Sequence, residues 1–292
     1  MKPAPFTYHR ARDLDGAVKL LAELAGEGAE PKIIAGGQSL VAMMNFRLAR
    51  PDHLIDISGV EGLRGLRQET EGALRIGALT THHEVETAPG TLLGPGFAVL
   101  REAMRWVGHL PIRTRGTVGG SLAHADATAE WCLLATLLDA ELMAYGPGGE
   151  RRIAARDFFL GYYSTALEED EVLTGVVFPR PAPHAALTEF AQRHGDFATV
   201  AAAVALDLTP DGGGVRGGRI ALGGVDALPV RVPEAEALLA EGGRAGPALY
   251  AAVAAAAARA IDPPGDANGS PEYRRGLTRT LVKRACEEAV SR

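Results

Sequence analysis

Cysteine is nearly missing from this chain: Cys132 and Cys286 are the only two in 292 residues. An iron–sulfur cluster is held by about four cysteine thiolates, so the chain cannot carry one by itself. A structural zinc site is not expected either. So few thiols in a chain of this length suit a reducing compartment, where they stay free, and a cytoplasmic location is expected. The opening Met1-Lys2-Pro3-Ala4-Pro5-Phe6 lacks the apolar core of a signal peptide. No stretch is apolar for the length of a membrane span. The nearest candidate, Ala251 to Ala258, is bounded by Tyr250 and Arg259 and reads as a soluble helix, alanine being the best helix former. Clustered positive charge is also absent. Lys and Arg total 30 against 36 Asp and Glu, a formal charge of −6, and the basic residues form no stripe, which argues against a nucleic-acid partner. The hydrophobic fraction of 47% indicates a folded chain, not a disordered one, and the length allows two or three lobes with cores of their own.

What the chain does have is glycine, concentrated in two segments about eighty residues apart. The first is Lys32-Ile33-Ile34-Ala35-Gly36-Gly37-Gln38-Ser39-Leu40, the second Arg115-Gly116-Thr117-Val118-Gly119-Gly120-Ser121-Leu122-Ala123-His124-Ala125-Asp126. Each sets paired glycines beside a hydroxyl residue. Glycine lets bare backbone approach a ligand, and neighbouring amides with a Ser or Thr hydroxyl hold phosphate oxygens without a metal. Two such loops suggest a clamp for a diphosphate. Neither is a Walker A loop or a G-x-G-x-x-G fingerprint. A Gly-Gly pair alone is usually only a turn, but the first loop follows a strand pattern and precedes a helical one, the context in which phosphates are bound.

The periodicities outline an α+β protein. Asp13 reads as an N-cap for a helix over 14–25, with Leu14, Val18, Leu21 and Leu24 at helical spacing. Strands are expected at Lys32–Ala35 and His53–Ile57, with a helix from Leu40 to Leu48 between them, making an α/β lobe over residues 1–58. A second lobe, 59–178, contains strands at Ala73–Ala78, Ala140–Tyr145 and Val172–Phe178. Its helices are expected at Thr80–Glu86, at Pro95–Val107 and through Leu133–Leu138, the last capped by Asp126 or Thr128. Pro179-Arg180-Pro181-Ala182-Pro183 is a linker by composition. The C-terminal lobe, 184–292, reads as a three-stranded antiparallel sheet (Leu187–Gln192, Val200–Leu208, Gly218–Val225) followed by helices near 233–241, 247–261 and 271–290.

The individual polar residues are ambiguous. Asp126 after the second loop fits a helix cap as well as a sugar hydroxyl, and His124 fits a loop histidine bonded to backbone. The adjacent His82 and His83 point in different directions on a helix and read as surface residues, while His109 and His194 appear isolated. No nucleophile–histidine–acid pattern stands out, so any redox chemistry is expected of a bound cofactor.

Taken together, the loops and their surroundings closely resemble the FAD-binding medium subunits of molybdenum hydroxylases, of the carbon monoxide dehydrogenase and xanthine dehydrogenase types. The resemblance covers nearly the whole chain. It includes Phe6-Thr7-Tyr8-His9-Arg10, Ala35-Gly36-Gly37-Gln38-Ser39-Leu40, Ile76-Gly77-Ala78-Leu79-Thr80-Thr81 and Thr117-Val118-Gly119-Gly120-Ser121. It continues through Ala155-Arg156-Asp157-Phe158-Phe159 and Gly195-Asp196-Phe197-Ala198 to Asn268-Gly269-Ser270-Pro271-Glu272-Tyr273-Arg274-Arg275.

The resemblance implies the p-cresol methylhydroxylase-type FAD-binding fold: two α/β lobes with FAD in the cleft between them and the C-terminal lobe closing over it. It implies that Lys32, Ile33, Ile34, Ala35, Gly36, Gly37, Gln38, Ser39 and Leu40 line the diphosphate and adenosine, and that Thr117, Gly119, Gly120 and Ser121 hold the diphosphate from the other side. His124, Asp126 and Glu130 match the polar positions that follow, Ala78, Val107 and Gly108 the cleft wall, and Leu173 and Phe197 positions near the isoalloxazine ring. Glu189 stands where some members carry lysine, which leaves the flavin's potential and acceptor open. The implied role is electron transfer, with no catalytic side chain and no metal on this chain. Electrons would come from a large molybdenum-cofactor subunit through a small 2Fe-2S subunit and leave to a quinone, NAD or oxygen. A self-contained FAD oxidoreductase, with Tyr162, Tyr163 or His194 beside the ring, and a flavin-free scaffold are the competing readings.

Overall fold

The computed structural model describes residues 2–292; Met1, which heads the segment read for a leader, lies outside the described residues. At the N-terminus, Asp13 caps the Leu14–Gly26 helix, its Oδ1 accepting from the Gly16 amide at 2.7 Å. Ala17, Val18, Leu21 and Leu24 form the buried face of that helix. The strands Thr7–Arg10 and Pro31–Ile34 flank His53–Asp56, both parallel to it. The helix carries the chain between the two outer strands, and the segment holding Leu40–Asn45 makes the crossover that the parallel neighbours Pro31–Ile34 and His53–Asp56 need. Thr7–Arg10 carries no apolar alternation and is held as a strand by its pairing with His53–Asp56. The Leu40 helix is short, Leu40–Asn45. Ligands of open α/β sheets gather outside the carboxyl ends of the strands, and the Pro31–Ile34 strand delivers Gly36 and Gly37 at that end.

The second sheet is antiparallel and five-stranded, in the order Leu66–Gln68, Leu74–Gly77, Val172–Phe178, Glu141–Gly146, Gly149–Ala154. The central strand, Val172–Phe178, is buried along its whole length. The outer two escape a periodicity reading because they are charged edge strands, Leu-Arg-Gln and Gly-Glu-Arg-Arg-Ile-Ala, and such charge keeps edges from pairing with other chains. The helix expected over Pro95–Val107 is only a 3-10 turn, Pro95–Phe97, followed by Ala98–Ala103. The second glycine segment is itself a helix, Val118–His124. The next helix, Glu130–Leu137, is buried on all faces beyond its first residue. Neither Asp126 nor Thr128 caps it. Ala129 stands at the N-cap without a side-chain bond, and Asp126 is drawn back to Thr128, accepting from its amide at 2.8 Å and its hydroxyl at 2.7 Å.

In the C-terminal lobe Ala185–Phe190, Val200–Leu208 and Gly214–Gly223 pair antiparallel in series. The sheet is not three-stranded: Val230–Arg231 and Gly243–Arg244 also pair with Gly214–Gly223. They are two residues long, too short to leave a sequence pattern. The alternation of Val200–Leu208 divides the lobe. Ala201, Ala203 and Ala205 join the core of the second lobe, whereas Val200, Ala202, Val204, Leu206 and Leu208 join the core under the Pro233–Ala240, Pro247–Ala260 and Pro271–Val290 helices. Alanine on the inner face lets the Glu130–Leu137 helix pack directly against this strand, so the second and C-terminal lobes share one core.

Candidate cofactor site

The first glycine loop leaves a run of backbone donors unused. Among the described residues, the amides of Gly36, Gly37, Gln38, Ser39 and Leu40 have no acceptor, and the Ser39 hydroxyl makes no capping bond. Successive free amides form an anion-binding concavity. Two features shape it. Gly37 has φ +71, a left-handed conformation that disfavours other residues. A side chain at Gly36 would stand 2.8 Å from the Arg115 carbonyl carbon and 3.0 Å from the Gly116 Cα. The two glycine segments are therefore in backbone contact.

The second segment works differently. Its amides are already engaged: Val118 with Thr80 O at 2.9 Å, Gly119 with Ala78 O at 2.8 Å, Gly120 with Thr117 Oγ1 at 3.0 Å and Ser121 with Thr117 O at 3.0 Å. Thr117 is the N-cap of the Val118–His124 helix and is buried. Gly119 lies flush on Ala78, where a Cβ would meet the Ala78 Cα and O at 2.8 Å. What this segment offers a ligand is the exposed backbone of Gly120 and the Ser121 hydroxyl, not a second set of amides. Its glycines are needed to seat the helix against the end of the Leu74–Gly77 strand.

A buried pair anchors the segment from below. The Trp131 Nε1–H donates to His82 Nδ1 at 2.9 Å, and a Cβ on Gly116 would meet His82 Nε2 at 2.8 Å. His82 is thus a core residue, not the surface residue the sequence suggested. Burial, with the Arg113 charge second, lowers its pKa to about 4, so it is neutral and accepts from the indole. His83 is half-exposed beside Glu86 at 3.3 Å.

Beyond the helix, His124, Asp126 and Tyr163 come together. The His124 and Tyr163 rings are 5.0 Å apart, and the Tyr163 hydroxyl reaches Asp126 Oδ2 at 3.5 Å. Burial lowers the pKa of His124, against the opposing pull of the Asp126 charge. Burial and then Asp126 raise that of Tyr163. Glu130 is half-buried, and its carboxyl is raised to about 7, chiefly by desolvation, with the Asp126 charge adding to it.

The turns that carry Val107, Gly108 and Phe197, expected to wall the cleft, meet one another. Val107 and Gly108 accept through their carbonyls from Arg113 Nη1 at 3.2 and 3.1 Å, and Arg113 Nε pairs with Glu86 at 3.0 Å. His109 and His194 are not isolated: their rings lie 5.7 Å apart, and a side chain at Gly195, φ +86, would meet His109 Cε1 at 2.7 Å. Phe197, on the same turn, is 70% exposed, which is unusual for a ring that size. Leu173 and Ala78, by contrast, are buried in the sheet and at its end. Lys32 is exposed, while Ile33 packs on the N-terminal core. Arg274 carries a role the sequence did not reveal: it is buried, and Nη1 donates to Thr199 O at 2.5 Å and Gly224 O at 2.7 Å while Nη2 donates to Asp266 at 2.7 Å. It ties the C-terminal helix to the strand that follows Phe197. In sequence it stands in the first turns of a long helix, within the Asn268–Arg275 segment of the family resemblance, with nothing to mark its partners.

This architecture has clear relatives. Residues 4–181 match the family described as FAD binding domain in molybdopterin dehydrogenase, and residues 185–289 match the CO dehydrogenase flavoprotein C-terminal domain. The chain is 38% identical to the 6-hydroxypseudooxynicotine dehydrogenase complex subunit alpha of Paenarthrobacter nicotinovorans, over 100% of this chain and 97% of that one. It is 37% identical to the carbon monoxide dehydrogenase medium chain of Afipia carboxidovorans, covering 100% and 99%. Among solved structures, quinoline 2-oxidoreductase from Pseudomonas putida 86 superposes with a TM-score of 0.93 at 36% identity, covering 100% and 99%. The chain belongs to the FAD-binding medium subunits of the molybdenum hydroxylases. It is an oxidoreductase subunit whose cofactor is FAD. The residues fit that cofactor: the unused amides of Gly36–Leu40 suit a diphosphate, and the exposed Gly120 backbone leaves room for it. Among the described residues, no cluster of His, Cys, Asp or Glu is placed to hold a metal ion, and no helix is long and apolar enough to cross a membrane.

Proposed function

We propose that this chain receives electrons from an iron–sulfur subunit, itself served by a molybdenum-cofactor subunit, and passes them through FAD to an external acceptor, a quinone, NAD or oxygen. FAD supplies the ability to take electrons singly and release them in pairs. The observation that carries the reading is the run of free amides at Gly36–Leu40 pressed against the second glycine segment. In it the first loop binds the diphosphate through backbone N–H groups, and Ser39 and Ser121 add hydroxyls from either side. Asp126 and His124 take the sugar-alcohol portion, Asp126 accepting hydrogen bonds through Oδ2, since Oδ1 is held by Thr128. Val107, Gly108 and Phe197 enclose the ring end and limit water there. Two buried free thiols accord with a reducing, cytoplasmic setting.

A self-contained oxidoreductase needs an enclosed pocket with a proton acceptor. Tyr162, Tyr163 and His194, the residues named for that role, are all exposed, so nothing favours it. The test is to purify the full chain, record its visible spectrum and identify the released cofactor, then look for molybdenum and iron–sulfur polypeptides that co-purify. A colourless chain that takes up no added FAD overturns the reading. A yellow chain that turns over a reductant unaided, with no partner, overturns the subunit role.

A further inference from the structure

At the seam of the second and C-terminal lobes, the acids placed to neutralise two arginines are engaged elsewhere. Arg105 follows the Ala98–Ala103 helix, and Glu102, one turn before it, is paired with Arg292. Arg284 lies on the Pro271–Val290 helix, and Glu288, one turn after it, is also approached by Arg292, at 3.9 Å. Glu287 is taken by Lys283 at 3.8 Å. Arg105 instead stands over the Trp106 ring at 5.1 Å. Among the described residues, neither Arg105 nor Arg284 is left with a carboxylate partner.

Both arginines line one cavity of about 450 Å³, together with Trp106, Thr188, Glu189 and His194. That volume lies in the range of small-molecule sites, about 300–1,000 Å³. Arg105, His194 and Arg284 are exposed and border the open side. The buried side holds Glu189, which is 8% exposed and whose Oε2 has no hydrogen-bond partner among the described residues. Strand pairing puts it there. Glu189 is opposite Ala201, directly opposed residues share a face, and Ala201 joins the core shared with the second lobe. Thr188 is already engaged, its hydroxyl donating to Leu281 O at 3.0 Å. Burial raises the Glu189 carboxyl to about 8, so near neutral pH it presents an O–H group and not a charge. The cavity therefore combines an unneutralised cationic mouth with a buried polar group that lacks a partner, which is costly to leave unmet.

We propose that this cavity binds a small hydroxylated phosphate monoester, its oxyanion held between Arg105 and Arg284 at the mouth and a hydroxyl of its organic group bonded to Glu189 inside. The two guanidinium groups come from separate helices. A phosphate monoester offers them two negative charges and three terminal oxygens, whereas a carboxylate offers one charge in one plane. The volume exceeds what a free ion fills and leaves space for the organic group beside Trp106. Bound there, the ligand joins the last helix of the C-terminal lobe to two turns of the cleft region. Arg105 and Trp106 run directly into Val107 and Gly108, and His194 stands on the turn of Phe197. The site is that of an effector bridging the lobes. It is separate from the Gly36–Leu40 loop and does not rest on the flavin reading.

Calorimetric titration of the purified full chain with glycerol 3-phosphate and with ribose 5-phosphate tests the site, with inorganic phosphate and glycerol for comparison. Because the first glycine loop can also take a phosphate, the chain is loaded with FAD beforehand. At least one ester is expected to bind at a single site, about tenfold or more tighter than inorganic phosphate, and glycerol not to bind. Arg105→Gln and Arg284→Gln change exposed side chains, which leaves folding intact. Each is expected to weaken the ester about tenfold, the loss of one charge-assisted hydrogen bond. The chain has only two tryptophans, and Trp131 is fully buried. A change in indole emission on binding is therefore expected, and Trp106→Phe is expected to abolish it. No saturable binding of either ester, an affinity unchanged in both arginine variants, or an emission change that survives in Trp106→Phe overturns the site. Inorganic phosphate binding as tightly as the esters overturns the ester and makes it an adventitious ion only. A chain that takes up no FAD overturns the flavin reading separately. The arginine variants then still decide the cavity, since neither alters the first glycine loop.

Discussion

Gly36 and Arg115 meet backbone to backbone: a methyl group on Gly36 would stand 2.8 Å from the Arg115 carbonyl carbon. The loop of free amides is thus pinned by the other glycine segment, and so close an approach exists only because Gly36 has no side chain. Gly36→Ala is predicted to force the segments apart, with an overpacking cost of about 1–3 kcal/mol and a loss of bound FAD of at least about tenfold, one tenfold step being ~1.4 kcal/mol. Flavin-to-protein absorbance and calorimetric FAD titration read the effect. Gly148→Ala, with open space around it, is the control. Full flavin content in Gly36→Ala would remove the first loop from the site.

The same geometry separates the roles of the two glycine pairs. Gly119 donates its amide to Ala78 and has no space for a side chain, so Gly119→Ala is expected to lower thermal stability first and FAD content only as a consequence. Gly120 is exposed, with a new Cβ 2.8 Å from its own capping hydroxyl at Thr117. Gly120→Ala is expected to weaken FAD binding with a smaller change in melting temperature. Equal losses of stability in both variants would show that neither residue faces a ligand.

Stability is predicted to fall on both sides of mildly acidic pH. On the acid side, His82 has its folded pKa lowered from 6.5 to about 4 by burial. Its contribution is complete above about 6.5 and is lost as pH falls through about 4. On the alkaline side, Glu130 and Glu189 are raised from 4.5 to about 7 and about 8. Their contribution is complete below about 4.5 and is lost as pH rises through those values. Melting curves at stepped pH check both limbs. Glu189→Gln is expected to flatten the alkaline limb alone. His82→Leu removes the acid titration but strands the Trp131 N–H, at a cost of about 1–3 kcal/mol. A pH-independent melting temperature in the wild type contradicts both assignments.

The sequence read well wherever apolar spacing governed the outcome. The Leu14–Gly26 helix, the Val172–Phe178 and Val200–Leu208 strands and the three C-terminal helices all fall where the pattern places them. It read poorly where a partner strand or a ligand-sized gap governs. The edge strands Leu66–Gln68 and Gly149–Ala154 are charged and take their form from neighbours. The second glycine segment looked like a twin of the first because composition does not reveal which amides are occupied. His82 looked superficial because its partner Trp131 is far away in sequence. Glu189 could be singled out only as a departure from the family pattern; that it is buried and unpaired depends on the face it shares with Ala201.

Arg274 offers the last test, because its guanidinium joins groups that are distant in sequence. It holds Thr199 O and Gly224 O in a buried position, and Thr199 follows the exposed Phe197 by two residues. Lysine keeps the charge but cannot reach both carbonyls and Asp266 in one plane. Arg274→Lys is therefore predicted to leave at least one buried carbonyl unpaired, costing about 1–3 kcal/mol, and to loosen the turn that carries Phe197. Phe197→Ala removes a ring that is already 70% exposed, so its melting temperature without flavin is expected to stay near wild type. If Phe197 packs on the cofactor, both variants alter the visible spectrum and reduction potential of bound FAD in the same direction, while only Arg274→Lys melts early. A Phe197→Ala protein with an unaltered flavin spectrum and potential would place the ring outside the site and leave Arg274 a purely structural clamp.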